Sequence, residues 1–541
     1  MGNNQSKSTN FIKQGTILAA ASVLSRIIGL LYRSPMTAII GDEGNGLYSY
    51  AFEVYSFALI LSSYSMPLAV SKLLSGKFAL KEYKNGYKIF RYAMIFSSAA
   101  GLLMALIIFF AAPAIERFSG YNGLALPLRV LAPTIFLVAV AGTLRGFFQS
   151  RKTMIPTAVS QIIEQIFNAI VSILAAWIFV YFSTPLTKGS YGAAGGTLGT
   201  GVGALTGLIF LIFLFCIYRP RMRVHLSHDR SFHENTSSEV VKLLAVTIVP
   251  IILSQAVYQA SGIIDGTLFG RLYDGADKKT LIGINSKYRT LINVPNAISS
   301  SMASSMIPTL VALYAAGNYD SFREKLATSV KVNMLVAFPC AIGLTVLGTP
   351  IMRMLFPTTD YILSGRMLLF GSIAVVFYAL STITNAALQG IDKMNLPVKH
   401  AAISLAIHVV LVALFLKFTK LGVYALLIGT VTFPLVVCIL NWIAVARYAG
   451  YNQEIRTTLV IPAIASAIMG VAAWGVYKLL SLILKTSYAA NFICVIISMI
   501  VAVIVYFATV FLMKGLTHRD LLDFPMGLRI ERIAKKLHLM K

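Results

Sequence analysis

Runs of about twenty apolar residues, the length that spans a bilayer as a helix, recur fourteen times along this chain. They cover roughly residues 14–40, 46–75, 88–113, 124–150, 154–183, 192–218, 239–270, 280–316, 325–349, 362–390, 395–417, 421–446, 456–484 and 490–514. Their length and number make the expected fold an all-α polytopic membrane protein with 14 transmembrane helices. Charged residues make up only 12% of the 541, about half the share of a soluble domain, and no soluble domain interrupts the runs.

The formal charge of +26 raises nucleic acid as a partner, but its placement points to membrane topology instead. The tails and even-to-odd loops, with the adjoining span ends, hold 29 of the 46 Lys and Arg, against 13 in the opposite loops. The positive-inside rule then puts both termini in the cytoplasm. Arg26, Arg33, Arg145 and Arg289 are the four that fall within spans. The longest polar connection, Arg219 to Glu239, carries three histidines with no thiol or carboxylate cluster nearby, and it reads as a solvated basic loop rather than a metal site. Cys216, Cys340, Cys438 and Cys494 stand singly in apolar stretches and read as core residues.

Two proline pairs recur at one offset. Pro67 and Pro308 are 241 residues apart, as are Pro156 and Pro397, and each pair lies near the cytoplasmic ends of spans of matching rank. Six spans restore the starting orientation, so the two groups of six read as parallel repeats flanking a central cavity. The expected division is 1–238 for helices 1–6, 239–452 for helices 7–12, and 453–541 for helices 13–14 with a basic tail.

Ionisable residues inside spans mark the candidate site, because each is costly in lipid unless paired or wetted. Arg26 and Arg33 are seven residues apart, nearly two helical turns, so both leave one face about 10 Å apart along the axis. Ser22 and Gly29 share that stripe. Two guanidiniums on one wet face suit a multiply charged anion, and snorkelling to an interface is the bland alternative. Further stripes are Ser49–Glu53–Ser56, Gln161–Glu164–Gln165–Asn168, Ser254–Tyr258–Ser261–Asp265 and Arg289–Asn293–Asn296–Ser300. Glu164 either faces the cavity or pairs with Arg145 across the hairpin of spans 4 and 5. The inferred cavity is cationic on the span 1 side, with Asp265 opposite. Hydroxyl and small residues taken singly are ordinary helix-packing glue. So are the glycines of GAAGGTLGTGVGALTG in span 6, which lack the strand context of a phosphate loop.

SRIIGLLYR, GDEGNGLY, MPLAVSKL and GIIDGTLF resemble the multidrug/oligosaccharidyl-lipid/polysaccharide (MOP) exporter superfamily. They are most similar to its polysaccharide biosynthesis branch, which holds stage V sporulation protein B and the Gram-positive lipid II flippases. The resemblance implies a V-shaped pair of six-helix lobes alternating between inward- and outward-open states in a bacterial plasma membrane. It implies flipping of an undecaprenyl-diphosphate-linked sugar, with Arg26, Arg33 and Arg289 as counterparts of the cavity arginines and 456–514 as a groove for the lipid tail. Two departures stand out: span 2 has no arginine, only Lys72 at its end, and its acid, Glu53, lies deeper than in the best-studied flippases.

The substrate-binding candidates are thus Arg26, Arg33, Arg289, Glu53, Asp265 and Glu164. The expected partners are the lipid-linked oligosaccharide, membrane lipids and cell-wall synthesis enzymes, with no nucleic acid and no catalytic or metal site. No cofactor is expected; an ion gradient or the membrane potential would drive transport. A cation-coupled multidrug antiporter of the same superfamily is the alternative, and a non-transporting scaffold leaves the buried charges without a use.

Overall fold

Every regular element among the described residues is helical: sixteen α-helices and one π-helical turn, Arg456–Val460. The structure, a computed structural model, describes residues 2–516 and Arg532, apart from 64, 152, 232, 485 and 486. Side chains of residues 2–20, 22, 23, 223, 250, 251, 254, 258, 304, 305 and 308 are also left out. Ser22, Ser254, Tyr258, Pro308 and the tail cations Arg529, Lys535 and Lys536 therefore lie outside what is described.

Ten described helices are long and apolar enough to cross a membrane, or eleven if the bent pair α11 (Tyr361–Gly371) and α12 (Ala374–Gly390) is one crossing. The first of these, Leu24–Ala79, runs for 56 residues. That is about 84 Å of helix, far more than a hydrocarbon core of about 30 Å. The stretch is broken inside α1 (Gly2–Ser62) at Gly41, whose φ of 72° a side chain rarely adopts, and again before α2 (Met66–Ala79), which has Pro67 in its first turn. The protein is a multi-pass membrane protein.

Two compact units divide the chain at Gly283. The first contains α1, α2, α3 (Tyr83–Ser119), α4 (Ala125–Ser150), α5 (Ile155–Tyr181), α6 (Lys188–Ser227) and α7 (Ser237–Leu272), and it extends past residue 238 because α7 packs on α1 and α3. Its core gathers Met66, Leu74, Phe90, Phe147 and Leu211. Along α6, Gly195, Gly199, Gly203 and Gly207 recur every four residues against Ala175, Ser172, Glu164 and Ser160 of α5. Four-residue spacing keeps them on one face, so the two backbones approach as closely as small residues permit. The glycine run is a packing seam.

The second unit holds α8 (Lys278–Ala315) from Ile284 onward, α9 (Tyr319–Val346), α10 (Gly348–Leu355), α11, α12, α13 (Asn395–Phe418), α14 (Val423–Ala449), α15 (Ile461–Ile483) and α16 (Tyr488–Leu512). Its last pair packs on α9 through Met469, Ala473, Val510 and Leu335, and Tyr506 donates to the Leu335 carbonyl at 2.8 Å. All four cysteines are free thiols.

Candidate functional site

The turn after α4 is short, so Arg145, near the end of α4, and Glu164, early in α5, come to facing positions. Arg145 Nη2 donates to Glu164 Oε2 at 2.7 Å, and its Nε donates to Ser160 Oγ at 3.0 Å. Ser160 Oγ in turn donates to the Thr157 carbonyl at 2.8 Å. The two charged side chains are only 12% and 21% exposed, so the pair is largely desolvated, and removing one partner would strand the other. Gly203 and Gly207 of α6 leave the room that Glu164 occupies.

Helix α1 crosses the same place. At Gly29 an added Cβ would lie 3.9 Å from Gln165 Oε1, and Ser25 and Arg26 reach the pair from one turn earlier. Together Ser25, Arg26, Arg145, Gln161, Glu164 and Gln165 line a cavity of about 280 Å³. Arg26 makes no ion pair with any described residue. Ser25 Oγ and Gln161 Oε1 are buried without a hydrogen-bond partner. Two guanidiniums against one carboxylate, with unsatisfied polar atoms beside them, make a site suited to a polar anionic group.

Arg33 goes elsewhere. The break at Gly41 folds α1 back on itself, and the Arg33 guanidinium lies over the Tyr48 ring, 5.6 Å from its centroid. The Tyr32 and Tyr48 hydroxyls are 3.2 Å apart, and the Asn168 amide reaches Tyr32 Oη at 3.5 Å. Glu53, on the second half of α1, accepts from Gln259 Nε2 of α7 at 3.3 Å and lies against Gly262. One turn on, the Tyr50 ring covers Gly266 and its hydroxyl meets Thr267 Oγ1 at 2.7 Å. Asp265, between these contacts, is buried. Arg289 is half-buried in the second unit, beside Tyr288, whose hydroxyl donates to the Gly371 carbonyl at 3.1 Å. Of the five candidates in the first unit, then, Arg26 and Glu164 share one cavity, Glu53 and Asp265 lie on the paired α1 and α7, and Arg33 covers Tyr48; Arg289 belongs to the second unit. Ser25 was not signalled by the sequence; Gln161 and Gln165 were, through their stripe with Glu164.

Residues 11–314, more than half of the chain, match the model of the polysaccharide biosynthesis protein family. The chain belongs to that family. Residues 250–414 also match the MatE model, and both lie within the MOP superfamily. A relative to this family member is the lipid II flippase MurJ of Bacillus subtilis (strain 168), 24% identical over 86% of this chain and 88% of that protein. A solved structure of lipid II flippase MurJ in an inward closed conformation has a TM-score of 0.64, with 16% identity over 91% of this chain and 98% of that one. An inward-facing multidrug resistance MATE family transporter has a TM-score of 0.65, with 14% identity over 79% of this chain and 94% of its own. At these identities the two structures establish the fold of this family member.

Proposed function

We propose that the protein is an alternating-access flippase for an undecaprenyl-diphosphate-linked sugar, a lipid II-like wall or polysaccharide precursor, in a bacterial plasma membrane. The observation that carries the reading is Arg26: a guanidinium on a membrane-spanning stretch that lines a polar cavity and, among the described residues, is paired with no carboxylate, the cavity's Glu164 being held by Arg145. Such a cation is costly in lipid and gains most from a phosphate, which it meets through two parallel hydrogen bonds. The family match and the flippase relative support the same substrate class.

In this reading the chain crosses the membrane fourteen times, with Leu24–Ala79 as two crossings and α7 and α8 as one each. Residues 1–238 and 239–452 form the two lobes, 453–541 add the last pair, and both termini are cytoplasmic. Arg33, Arg289, Glu53 and Asp265 are proposed to act in binding or in the movement between states. An ion gradient or the membrane potential drives the cycle without a bound cofactor, and wall-synthesis enzymes make and consume the substrate.

The second reading, a cation-coupled multidrug antiporter, draws support from the shared fold and the MatE match. The cavity argues against it, since two guanidiniums facing one carboxylate repel an organic cation. The deciding experiment measures binding of a short-chain undecaprenyl-diphosphate sugar analogue and of a lipophilic organic cation to wild type, Arg26→Ala and Arg26→Lys. The flippase reading expects the analogue to bind, Arg26→Ala to weaken it roughly 10- to 150-fold and lysine to restore part. Binding of the cation alone would overturn it.

A further inference from the structure

The cavity beside Arg26 already contains an anion of its own. Glu164 occupies Arg145 at 2.7 Å while Arg26, on the same wall, has no carboxylate partner among the described residues. A dianionic group entering to meet Arg26 therefore arrives next to a second guanidinium whose present partner is a monoanion. Resting on the flippase reading, we infer that Glu164 is a resident competitor for the substrate's diphosphate: Arg145 passes from the Glu164 carboxylate to a phosphate oxygen on binding, and back on release.

The local geometry suits such an exchange. Arg145 is tethered through Nε to Ser160, and Ser160 is held by the Thr157 carbonyl, so the guanidinium keeps a fixed pivot when Nη2 changes partner. The released carboxylate is not stranded. Gln161 and Gln165 flank Glu164 on the same cavity wall and supply amide donors. Ser25, Gln161 and Gln165 line the cavity with a hydroxyl and two amides, groups that can exchange hydrogen bonds with sugar hydroxyls. The volume of about 280 Å³ lies at the small end of ligand pockets, which fits a diphosphate with its adjoining sugar ring rather than a whole oligosaccharide. The site is assigned, in chemical terms, to a sugar diphosphate: Arg26 and Arg145 take the phosphates, and Glu164, Gln161, Gln165 and Ser25 take the hydroxyls.

An internal competitor has a use in a transporter. A cavity that holds its cargo too tightly turns over slowly, and a carboxylate waiting to reclaim Arg145 lowers affinity while speeding release. The role differs from that of a structural ion pair in the sign of one mutation. If Glu164 competes, Glu164→Gln tightens binding; if it only holds α4 to α5, the same change loosens the fold and leaves the ligand alone.

The experiment uses full-length protein in lipid nanodiscs and a short-chain polyprenyl diphosphate, with and without one attached sugar. Its variants are Arg26→Ala, Glu164→Gln, Glu164→Asp, Arg145→Ala and the double variant Arg145→Ala/Glu164→Gln. Glu164→Gln is expected to bind about tenfold tighter and to release more slowly, the worth of one charge-assisted hydrogen bond returned to the ligand. Arg145→Ala should weaken binding by a similar factor, and in that background Glu164→Gln should give a different change than in wild type, because there is no Arg145 left for it to release. Glu164→Asp keeps the charge on a shorter arm and should fall between, which preserves the test if Glu164→Gln folds poorly. Unchanged affinity in Glu164→Gln and Glu164→Asp, with wild type binding and Arg26→Ala weakened, would overturn the competitor role and leave the flippase reading standing. No binding to wild type under any condition would overturn that reading itself.

Discussion

Asn45 and Gly283, 238 residues apart in sequence, are joined by a 2.9 Å hydrogen bond from the buried Asn45 amide to the Gly283 carbonyl. Around it the second half of α1 meets the start of α8 with almost no side chain between. A Cβ on Gly46 would strike the Lys279 carbonyl, and one on Gly283 would strike the Asp42 carbonyl. Lys279 and Glu43 close the edge with an ion pair. Gly283→Ala is therefore expected to loosen this contact by about 1–3 kcal/mol, the usual cost of overpacking. The check is a cysteine at Leu47, which is only 1% exposed, in a background lacking the four native thiols. Its reaction with a thiol reagent should speed up roughly tenfold in Gly283→Ala. An unchanged rate would mean that the neighbouring backbones yield.

The α5–α6 seam makes a second expectation. At Gly199 an added Cβ would collide with Ser172, whose hydroxyl donates to the Gly196 carbonyl at 2.8 Å. At Gly76 of α2 nothing lies within 4 Å. Gly199→Ala should lower the thermal midpoint, at a cost of about 1–3 kcal/mol. Gly76→Ala should raise it slightly, by about 0.4–1 kcal/mol, because it restricts only the unfolded chain. Scanning fluorimetry of both variants in detergent decides the matter, and equal shifts would remove the seam as a stabilising feature.

Sequence order carried much of this and lost the rest for identifiable reasons. The Arg145–Glu164 pair was legible because a short turn forces neighbouring helices to share faces, so two opposite charges at similar depth had few other partners. The glycine seam was legible from its four-residue spacing. The break inside α1 was legible too, since the apolar runs stop at 40 and resume at 46, and Gly41 turns the backbone between them. Periodicity could not show that the returning half brings the Tyr48 ring under the Arg33 guanidinium. The close approach of α1 to α7 and to the start of α8 left no mark in composition, since it rests on single glycines, Gly262 and Gly266 on α7, Gly46 on α1 and Gly283 at the start of α8.

Sidedness can be tested at positions the structure makes suitable. Ser119 is fully buried, so a cysteine there would report packing rather than topology. Leu186, 95% exposed in the turn between α5 and α6, and Ser227, exposed at the end of α6, are better probes. The proposed orientation, with both termini cytoplasmic, expects Leu186→Cys to react with an impermeant reagent added to intact cells and Ser227→Cys only after lysis. The reverse pattern would invert the proposed orientation.

Acid should unfasten the connection between α6 and α7. Asp229, Arg230 and His233 are tied to the start of α3: Lys84 N–H donates to Asp229 at 2.8 Å, Asn85 Nδ2 to the His233 carbonyl at 2.8 Å, and Arg230 N–H to the Lys81 carbonyl at 3.0 Å. The Lys77 ammonium at 2.6 Å and the Asn85 amide hold the Glu82 carboxyl below its usual range. Against its own desolvation, the Lys84 and Ser231 donors hold Asp229 low as well. Both carboxyls bind fewer protons folded than unfolded, so stability rises with pH across the window. Their contribution is complete above the ordinary carboxylate values near 4, and it is lost as pH falls through the depressed ones. Protection of the Lys84 and Arg230 amides, corrected for intrinsic exchange, should drop in that window. Asp229→Asn should already show reduced protection at neutral pH and a flatter dependence. Protection that stays level down to pH 3 would show that these contacts do not need the charges.

Arg26 and Arg33 should respond differently to the same substitution. Arg26 lines the cavity without an ion pair among the described residues, so Arg26→Ala removes a ligand contact and little packing. Arg33 lies over the buried Tyr48 ring and beside the Tyr32 hydroxyl. A cation over a desolvated ring contributes about 2 kcal/mol. Arg33→Ala is therefore expected to lower the unfolding free energy by about 1–2 kcal/mol, and Arg33→Lys to recover part, because ammonium also sits over a π face. Tyr48→Phe keeps the ring and loses only the hydroxyl contact, so it should cost about 0.5–1.5 kcal/mol and leave Arg33 in place. The measurements are thermal stability and diphosphate-lipid binding on one set of four variants. Arg26→Ala should move binding alone, whereas the Arg33 and Tyr48 variants should move stability first. Should Arg33→Ala weaken binding at unchanged stability, Arg33 is a direct ligand of the anion, and the site extends two turns along α1.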